Sequence, residues 1–490
     1  MNFKKANLIV SLMLAMFLAA VEGTIVTMAT PTITKDLHGF SLISMVFSVY
    51  LLTSAISTPI YGKLADLYGR KKMLSIGILI FLVGSALCGL ARSMGMLIAF
   101  RALQGLGAGA IFTVAFTIIG DVFTLEERSR VQGSLSTVWG VASLVGPFLG
   151  GFLIDTLSWH WIFFINIPFG LLSVILLQGS LKESFEKKKH RIDYAGTAVL
   201  SLAVMLFLSI FLLEGNAGAG RVWFIVLASV LTAALLFVFY KIERRAKEPI
   251  VSFDIFTRTS TIVNLISFLV YAILMGIDVY LPIYLQNILG FRPTISGLSM
   301  LPMSVSWLMV SFILGKLLMR YGEKPVTVAA NAVILVGMAL LPSLGVASPV
   351  TLVLLYGFVI GIGFGGVSTA LTIIVQDSVD YSKRGTAVAA NTLLRTLGQT
   401  IGISIFGNVF NMGITRYFSA RGVMGVNPTD LYQSSASGGA LPAAQVQLSL
   451  NSAVHTLFIV FIVISGLALL LSILLPKIKG KYGPRQNEPA

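Results

Sequence analysis

Apolar residues in this chain gather into long runs separated by short polar breaks. A helix that crosses the roughly 30 Å hydrocarbon core of a bilayer needs about 20 mostly apolar residues, because it rises 1.5 Å per residue. Fourteen runs meet that requirement: 8–31, 41–62, 73–91, 96–120, 132–154, 162–181, 195–213, 222–240, 262–286, 295–318, 326–345, 350–375, 388–412 and 453–475. The breaks between them leave little chain for a soluble domain. The exception is 413–452, a Ser/Gly/Ala-rich stretch between spans 13 and 14. The expected fold is an all-α integral membrane protein with fourteen transmembrane helices.

Composition agrees. Of 490 residues, 56% are hydrophobic and only 11% charged, with a mean hydropathy of +0.89; a soluble protein carries roughly 25% charged residues. One cysteine, Cys88, excludes a disulfide framework, and four scattered histidines (His38, His160, His190, His455) argue against a metal cluster. Lys4 and Lys5 before an apolar run resemble a signal peptide, but the run continues to Pro31, too long for a signal core. An uncleaved first helix is expected.

The net charge of +15 is a matter of topology. With the N-terminus in the cytoplasm, the 35 Lys and Arg residues divide as 27 inside, 6 outside and 2 within spans, a strong positive-inside pattern. Both termini then lie in the cytoplasm of a multi-pass plasma-membrane protein. Anionic lipid headgroups, not nucleic acid, are the expected partners of the basic loops.

The chain also repeats. Residues 62–71 (GKLADLYGRK) and 315–324 (GKLLMRYGEK) share six of ten residues at an offset of 253. An offset of 256 superposes Gly105, Gly107 and Gly109 on Gly361, Gly363 and Gly365, Asp121 on Asp377, and Arg128 on Arg384. The offset spans an even number of helices, so the copies share one orientation. This divides the chain into an N-terminal six-helix half (1–181), linkers with two inserted helices (182–258), a C-terminal half (259–476) and a tail (477–490). Two pseudo-symmetric halves facing a midplane site are the architecture of alternating-access transporters.

The residues GKLADLYGRKK (62–72), LIAFRALQGLGAGA (97–110), WGVASLVGPFLGG (139–151), WHWIFFINIPFG (159–170) and VEGTIVTMATPTI (21–33) resemble, in order and spacing, motifs of the major facilitator superfamily. Within it they resemble the fourteen-helix, QacA/EmrB-like drug:proton antiporters. That family usually carries Asp in span 1 where this chain has Glu22. The resemblance implies a cytoplasmic gate in which Gly62, Asp66, Gly69, Arg70 and Asp121 lock the halves when the site faces outward. It also makes Gly146, Pro147, Gly150 and Gly151 an antiporter motif; the residue types alone imply a closely packed helix bent at Pro147.

The residues also indicate chemistry directly. No GxxxxGK[ST] sequence occurs, so the chain carries no P-loop, and GIGFGG (361–366) lies inside an apolar span, where it reads as helix packing. The energy source is then an ion gradient or the substrate's own gradient, with no cofactor and no metal expected. Two acids sit well inside spans, Glu22 and Asp278, both expected eight or nine residues from the outer helix ends. A charge at the bilayer centre costs about 2.5–3.5 kcal/mol, so function is the default reading. Arg101 is always charged and cannot carry the proton, but it can pair with a carboxylate. Proton coupling and cation binding are therefore assigned to Glu22, Asp278 and Arg101. Asn264, Tyr271, Met275 and Asp278 share one face of span 9. Asn391, Arg395 and Gln399 form a polar stripe on span 13 that either lines the cavity or ties helices together.

The expected function is proton-driven antiport of lipophilic, cationic drugs out of the cytoplasm by a monomer. The rival within transport is a narrow exporter of one antibiotic, such as tetracycline, or of one endogenous metabolite. A membrane-embedded enzyme lacks an evident catalytic set.

Overall fold

The computed structural model describes residues 3–123, 125–181, 194–212, 219–244, 255–379, 384–423, 426, 428, 431 and 442–476. Fourteen long helices follow the fourteen apolar runs among these residues. The first half contains α1 (Phe3–Asp36), α2 (Ile43–Tyr68), α3 (Arg70–Cys88), α4 (Met94–Val122), α5 (Leu125–Thr156) and α6 (Trp161–Ser180). The inserted pair is α7 (Tyr194–Leu212) and α8 (Ala219–Glu243). The second half contains α9 (Arg258–Ile283), α10 (Pro293–Tyr321), α11 (Glu323–Leu340), α12 (Val350–Asp377), α13 (Arg384–Ser419) and α14 (Ala443–Ile473). Eleven of these are long and apolar enough to cross a membrane. Both α1 and α14 have their outer termini at one end of the bundle, called the near end below; Asp36 marks the far end.

Several helices outrun their apolar stretch. Helix α1 continues through Pro31 to Asp36, where the hydropathy falls, and Thr34 Oγ1 donates back to the Pro31 carbonyl (3.0 Å). Helix α9 likewise contains Pro282 and continues as a π-helical turn, Tyr284–Ile288. Helix α13 reaches Ser419 and α14 begins at Ala443, so the expected loop 413–452 is shortened at both ends. Most of 424–441, the 187–191 basic run and the tail 477–490 lie outside the described residues.

The duplication is visible in the packing. A Cβ on Gly105 of α4 would lie 2.4 Å from the Tyr50 carbonyl of α2, and one on Gly361 of α12 would lie 2.0 Å from the Met303 carbonyl of α10. Tyr50 and Met303 are themselves 253 positions apart. One residue pair on, Gly107 meets Phe81 of α3 and Gly363 meets Ile334 of α11. The glycine triplets thus bring α4 and α12 into backbone contact with the same two helices of their own halves, and GIGFGG is a packing surface. Gly69 (φ 94°) and Gly322 (φ 83°) make the equivalent turns after α2 and α10, a conformation that favours glycine.

The halves meet along α5 against α10 and α2 against α13, seams related by the repeat, while α1 packs against α9. The inserted α7 covers the α2–α13 seam, where Phe207 joins Leu52, Ile56 and Ile401. The far end carries hydrogen bonds between halves. Ser48 Oγ and Ser404 Oγ are 2.8 Å apart, Asn411 Nδ2 donates to Ser41 O (3.2 Å), and Gln286 Nε2 donates to Met28 O (3.0 Å). On the other seam, Thr294 donates its backbone N–H to Asp155 Oδ2 (3.0 Å) and its hydroxyl to the same oxygen. Asp155 and Asn411 are 256 positions apart, and Ser41 and Thr294 are 253 apart. The two contacts are one latch, built twice.

Candidate functional site

Glu22 lies inside the first half and is 0% exposed. Its Oε1 accepts from Arg101 Nη1 at 2.5 Å, and its Oε2 accepts from Asn166 Nδ2 at 2.7 Å. Arg101, 1% exposed, also donates from Nη1 to Gln104 Oε1 (2.7 Å) and from Nε to the Val46 carbonyl (3.3 Å). Its guanidinium carbon lies 4.0 Å from the centre of the Tyr50 ring, a cation–π contact strengthened by the absence of water. Asn166 further donates to Ser85 Oγ (2.9 Å), whose hydroxyl donates to the Phe163 carbonyl (2.8 Å). Cys88 Sγ sits 3.8 Å from Gln104 Oε1.

Each helix places its residue for a local reason. Arg101 and Gln104 are three apart, one turn on the same face of α4. Asn166 opens the second segment of α6, which breaks at Ile165 between Trp161–Phe164 and Asn166–Ser180. Ser11 and Ser173 exchange hydroxyl-to-carbonyl bonds of 2.7 and 2.8 Å, and Trp159 Nε1 donates to Asp36 Oδ2 (2.8 Å). Helix α6 and the turn before it therefore grip α1 at three levels, with Glu22 in the middle. Asn166, Gln104, Ser85 and Tyr50 are absent from the sequence-based site. Asn166 carried a signal, a strongly polar side chain early in an apolar span, but its partner was not legible.

Asp278 differs. It is half-buried on α9 and has no hydrogen-bond or ionic partner among the described residues. The expectation of equal depth is corrected. Glu22 lies fourteen residues before the end of α1 at Asp36, whereas Asp278 lies five before the end of α9 at Ile283. Pro31, Gly39 and Phe40 repeat as Pro282, Gly290 and Phe291. Counted from those prolines, Asp278 stands five residues nearer the far end, about 7 Å along the helix axis. Helix α1 runs on to Asp36, past the apolar limit at Pro31, so hydropathy alone conceals the stagger.

The span-13 stripe divides. Asn391, 3% exposed, donates to Asn264 Oδ1 (2.7 Å) and Ser267 Oγ (2.9 Å), so it ties α13 to α9. Arg395 donates to Tyr271 Oη (3.1 Å) and Thr372 Oγ1 (2.8 Å), bridging three helices, with its guanidinium 4.7 Å from the Tyr271 ring. Met275 is buried at 7% exposure and Gln399 is half-buried.

The antiporter motif is a packing surface shared by both halves. Gly146 and Gly150 face Thr24 and Ile25 of α1, Gly151 faces Pro293 and Thr294 of α10, and the Pro147 carbonyl faces Gly297. A Cβ at Gly151 would lie 2.4 Å from the Pro293 carbonyl, so the approach of α5 to α10 requires glycine there. At the near end, Gly62 and Gly69 are in place and Arg70 is half-buried at the start of α3. The side chains of Asp66 and Asp121 lie outside the described residues. In the second copy of this loop Met319 and Glu323 stand where Asp66 and Arg70 stand. The turn is duplicated but the charges are not.

A cavity of about 500 Å³ opens at the near end beside Tyr321, Glu323 and Ile473, and one of about 530 Å³ at the far end beside Asp36, Trp159 and His160. Neither contains Glu22 or Asp278. Among the described residues no group of acids, histidines and cysteines could hold a metal ion.

Paired six-helix halves, an inserted hairpin and an ionisable cluster enclosed at membrane depth define a membrane transporter, not an enzyme. The Major Facilitator Superfamily profile matches residues 12–403, and the chain belongs to that family. It is 36% identical to the multidrug transporter protein MdtP of Bacillus subtilis (strain 168), over 83% of this chain and 76% of that one. It is 33% identical to multidrug resistance protein 3 of the same organism, over 84% and 81%. With the multidrug efflux pump SdrM of Staphylococcus aureus (strain N315) the identity is 30%, over 84% and 91%. Among solved structures, a bacterial homologue of the human lysosomal transporter Spinster, inward-facing and unoccupied, superposes with a TM-score of 0.69 at 15% identity, covering 96% of this chain and 98% of that one. At that identity the likeness is one of fold.

Proposed function

We propose that this protein exports lipophilic cations from the cytoplasm in exchange for protons, as a fourteen-helix drug:proton antiporter. The observation that carries this reading is the enclosed Glu22–Arg101 pair. A carboxylate in a dry bundle is held by a fixed positive charge, and a proton neutralises it and releases the arginine. Arg101 stays charged throughout, so Glu22 is the group that gains and loses the proton. Asp278 offers the cation a negative charge with no basic partner among the described residues. The positive-inside pattern of the sequence supports a cytoplasmic near end. The far-end latches then belong to a state closed to the outside, and transport requires both to part. Similarity to three proteins named for multidrug transport or resistance supports small lipophilic substrates.

The test is ethidium movement into inverted membrane vesicles with an acidic lumen. Accumulation that collapses with the pH gradient, accompanied by proton release to the bath, is the expected result. Accumulation indifferent to the gradient removes proton coupling from the account.

A further inference from the structure

Both oxygens of Glu22 are met by donors: Arg101 Nη1 at Oε1 and Asn166 Nδ2 at Oε2. Arginine has no acceptor atom, and a carboxylate on that side requires the amide's NH2, not its oxygen. The pocket is therefore built for the charged form. A proton added to Oε2 needs an acceptor where Asn166 now donates, and the amide supplies one by turning over; the other amide beside Glu22, Gln104, has its oxygen held by Arg101 Nη1. Turned, its oxygen occupies the place of Nδ2 and accepts from the new Glu22 hydroxyl. It also faces Ser85 Oγ, now 2.9 Å from Nδ2. Ser85 can then donate to that oxygen only by withdrawing its hydrogen from the Phe163 carbonyl, next to the break in α6.

We propose that Asn166 is the positioning residue of the proton site: its amide holds Glu22 ionised, and its reversal accompanies protonation and passes the change to Ser85 and the α6 break. This rests on the reading of Glu22 as the proton carrier. The proton comes from solvent and resides on Glu22; Asn166 neither gains nor loses one. Three other ionisable groups face Glu22: Arg101 from α4, Tyr50 from α2 and Cys88 from α3. Among the described residues, α5, α9 and α10 bring no titratable group into hydrogen-bonding reach of it. Asn166 is 2% exposed, so solvent cannot replace its donor.

Infrared titration of the purified full chain reads protonated carboxyls directly and needs no transported substrate. The Glu22 band is the one lost in Glu22→Gln. Asn166→Leu removes the charge-assisted donor to the carboxylate together with the weaker acceptor for the protonated form, so Glu22 should keep its proton to higher pH. A rise of about one pH unit, tenfold in proton affinity, is expected. Asn166→Leu with Glu22→Gln should show no band to shift. An unmoved midpoint in a variant with wild-type elution and helical content overturns the proposal. Should Asn166→Leu not fold, Asn166→Asp keeps the shape and sets two acids side by side, which must share a proton. Its protonated-carboxyl band should persist to higher pH than in wild type, and failure to do so is equally contrary. If the band shifts while wild-type ethidium movement ignores the pH gradient, the coupling reading fails and the role of Asn166 stands. If export is pH-driven and the band does not shift, the reverse holds.

Discussion

Arg101 and Glu22 are shut into the first half as an ion pair, Nη1 to Oε1 2.5 Å, with the two side chains 1% and 0% exposed. Their repeat is broken in the second half, where Gly357 stands 256 positions after Arg101 and Asp278 has no basic partner among the described residues. One half thus holds a compensated charge and the other an uncompensated one. In the proposed function, that asymmetry assigns proton exchange to Glu22 and attraction of a cation to Asp278.

The pair should also matter for stability. Removing one partner of a buried ion pair costs about 3–5 kcal/mol, because the other charge is left in a dry interior. Arg101→Leu should lower the melting temperature of the purified protein sharply. Adding Glu22→Gln should recover part of the loss, since nothing charged then remains. Losses that simply add would show that the two side chains do not depend on each other.

The two far-end latches predict a gate phenotype. Asp155 caps α10 through Thr294, and Asn411 holds Ser41 on the other seam. Cys88 is the sole cysteine and is buried, so Cys88→Ser gives a background for labelling. In it, Ser48→Cys should react slowly with a membrane-impermeant maleimide. Asp155→Ala combined with Asn411→Ala should accelerate that reaction several-fold. Equal rates with and without the latches would count against their role in closing the far end.

Much of the architecture was legible because bilayer thickness imposes a length on apolar runs and the glycine triplets advertise the repeat. The ends of the helices were not, since Thr32–Asp36 and Tyr284–Ile288 continue helically where hydropathy falls or backbone geometry changes. Glu22 and Arg101 were legible as charges that a membrane interior would not hold idly. Their neighbours were not: Asn166 is 144 positions from Glu22, and only the folding of α6 against α1 brings them together. The stripe at Asn391 had two readings from periodicity alone. Its bonds to Asn264 and Ser267, which periodicity does not reveal, pair α13 with α9.

Asp278 should sort substrates by charge. With the carboxylate neutralised in Asp278→Asn, export of ethidium should fall by tenfold or more, while an uncharged lipophilic dye should be exported nearly as before. Parallel loss of both would make Asp278 a general structural or coupling residue.

The near-end loop makes a separate prediction. If Asp66 acts as a gate charge with Arg70, then Asp66→Asn should cut ethidium export several-fold while insertion and ethidium binding remain near wild type. Normal export would leave residues 62–72 as a turn and a topology signal only.

Proton coupling through Glu22 is tested most directly by ethidium accumulation in inverted vesicles under an imposed pH gradient, comparing wild type, Glu22→Gln and Glu22→Asp. Glu22→Gln should abolish gradient-driven accumulation, because an amide cannot exchange a proton. Glu22→Asp, which keeps a carboxylate, should retain a large part of it. Undiminished gradient-driven accumulation by Glu22→Gln would contradict the account and move the proton to Asp278.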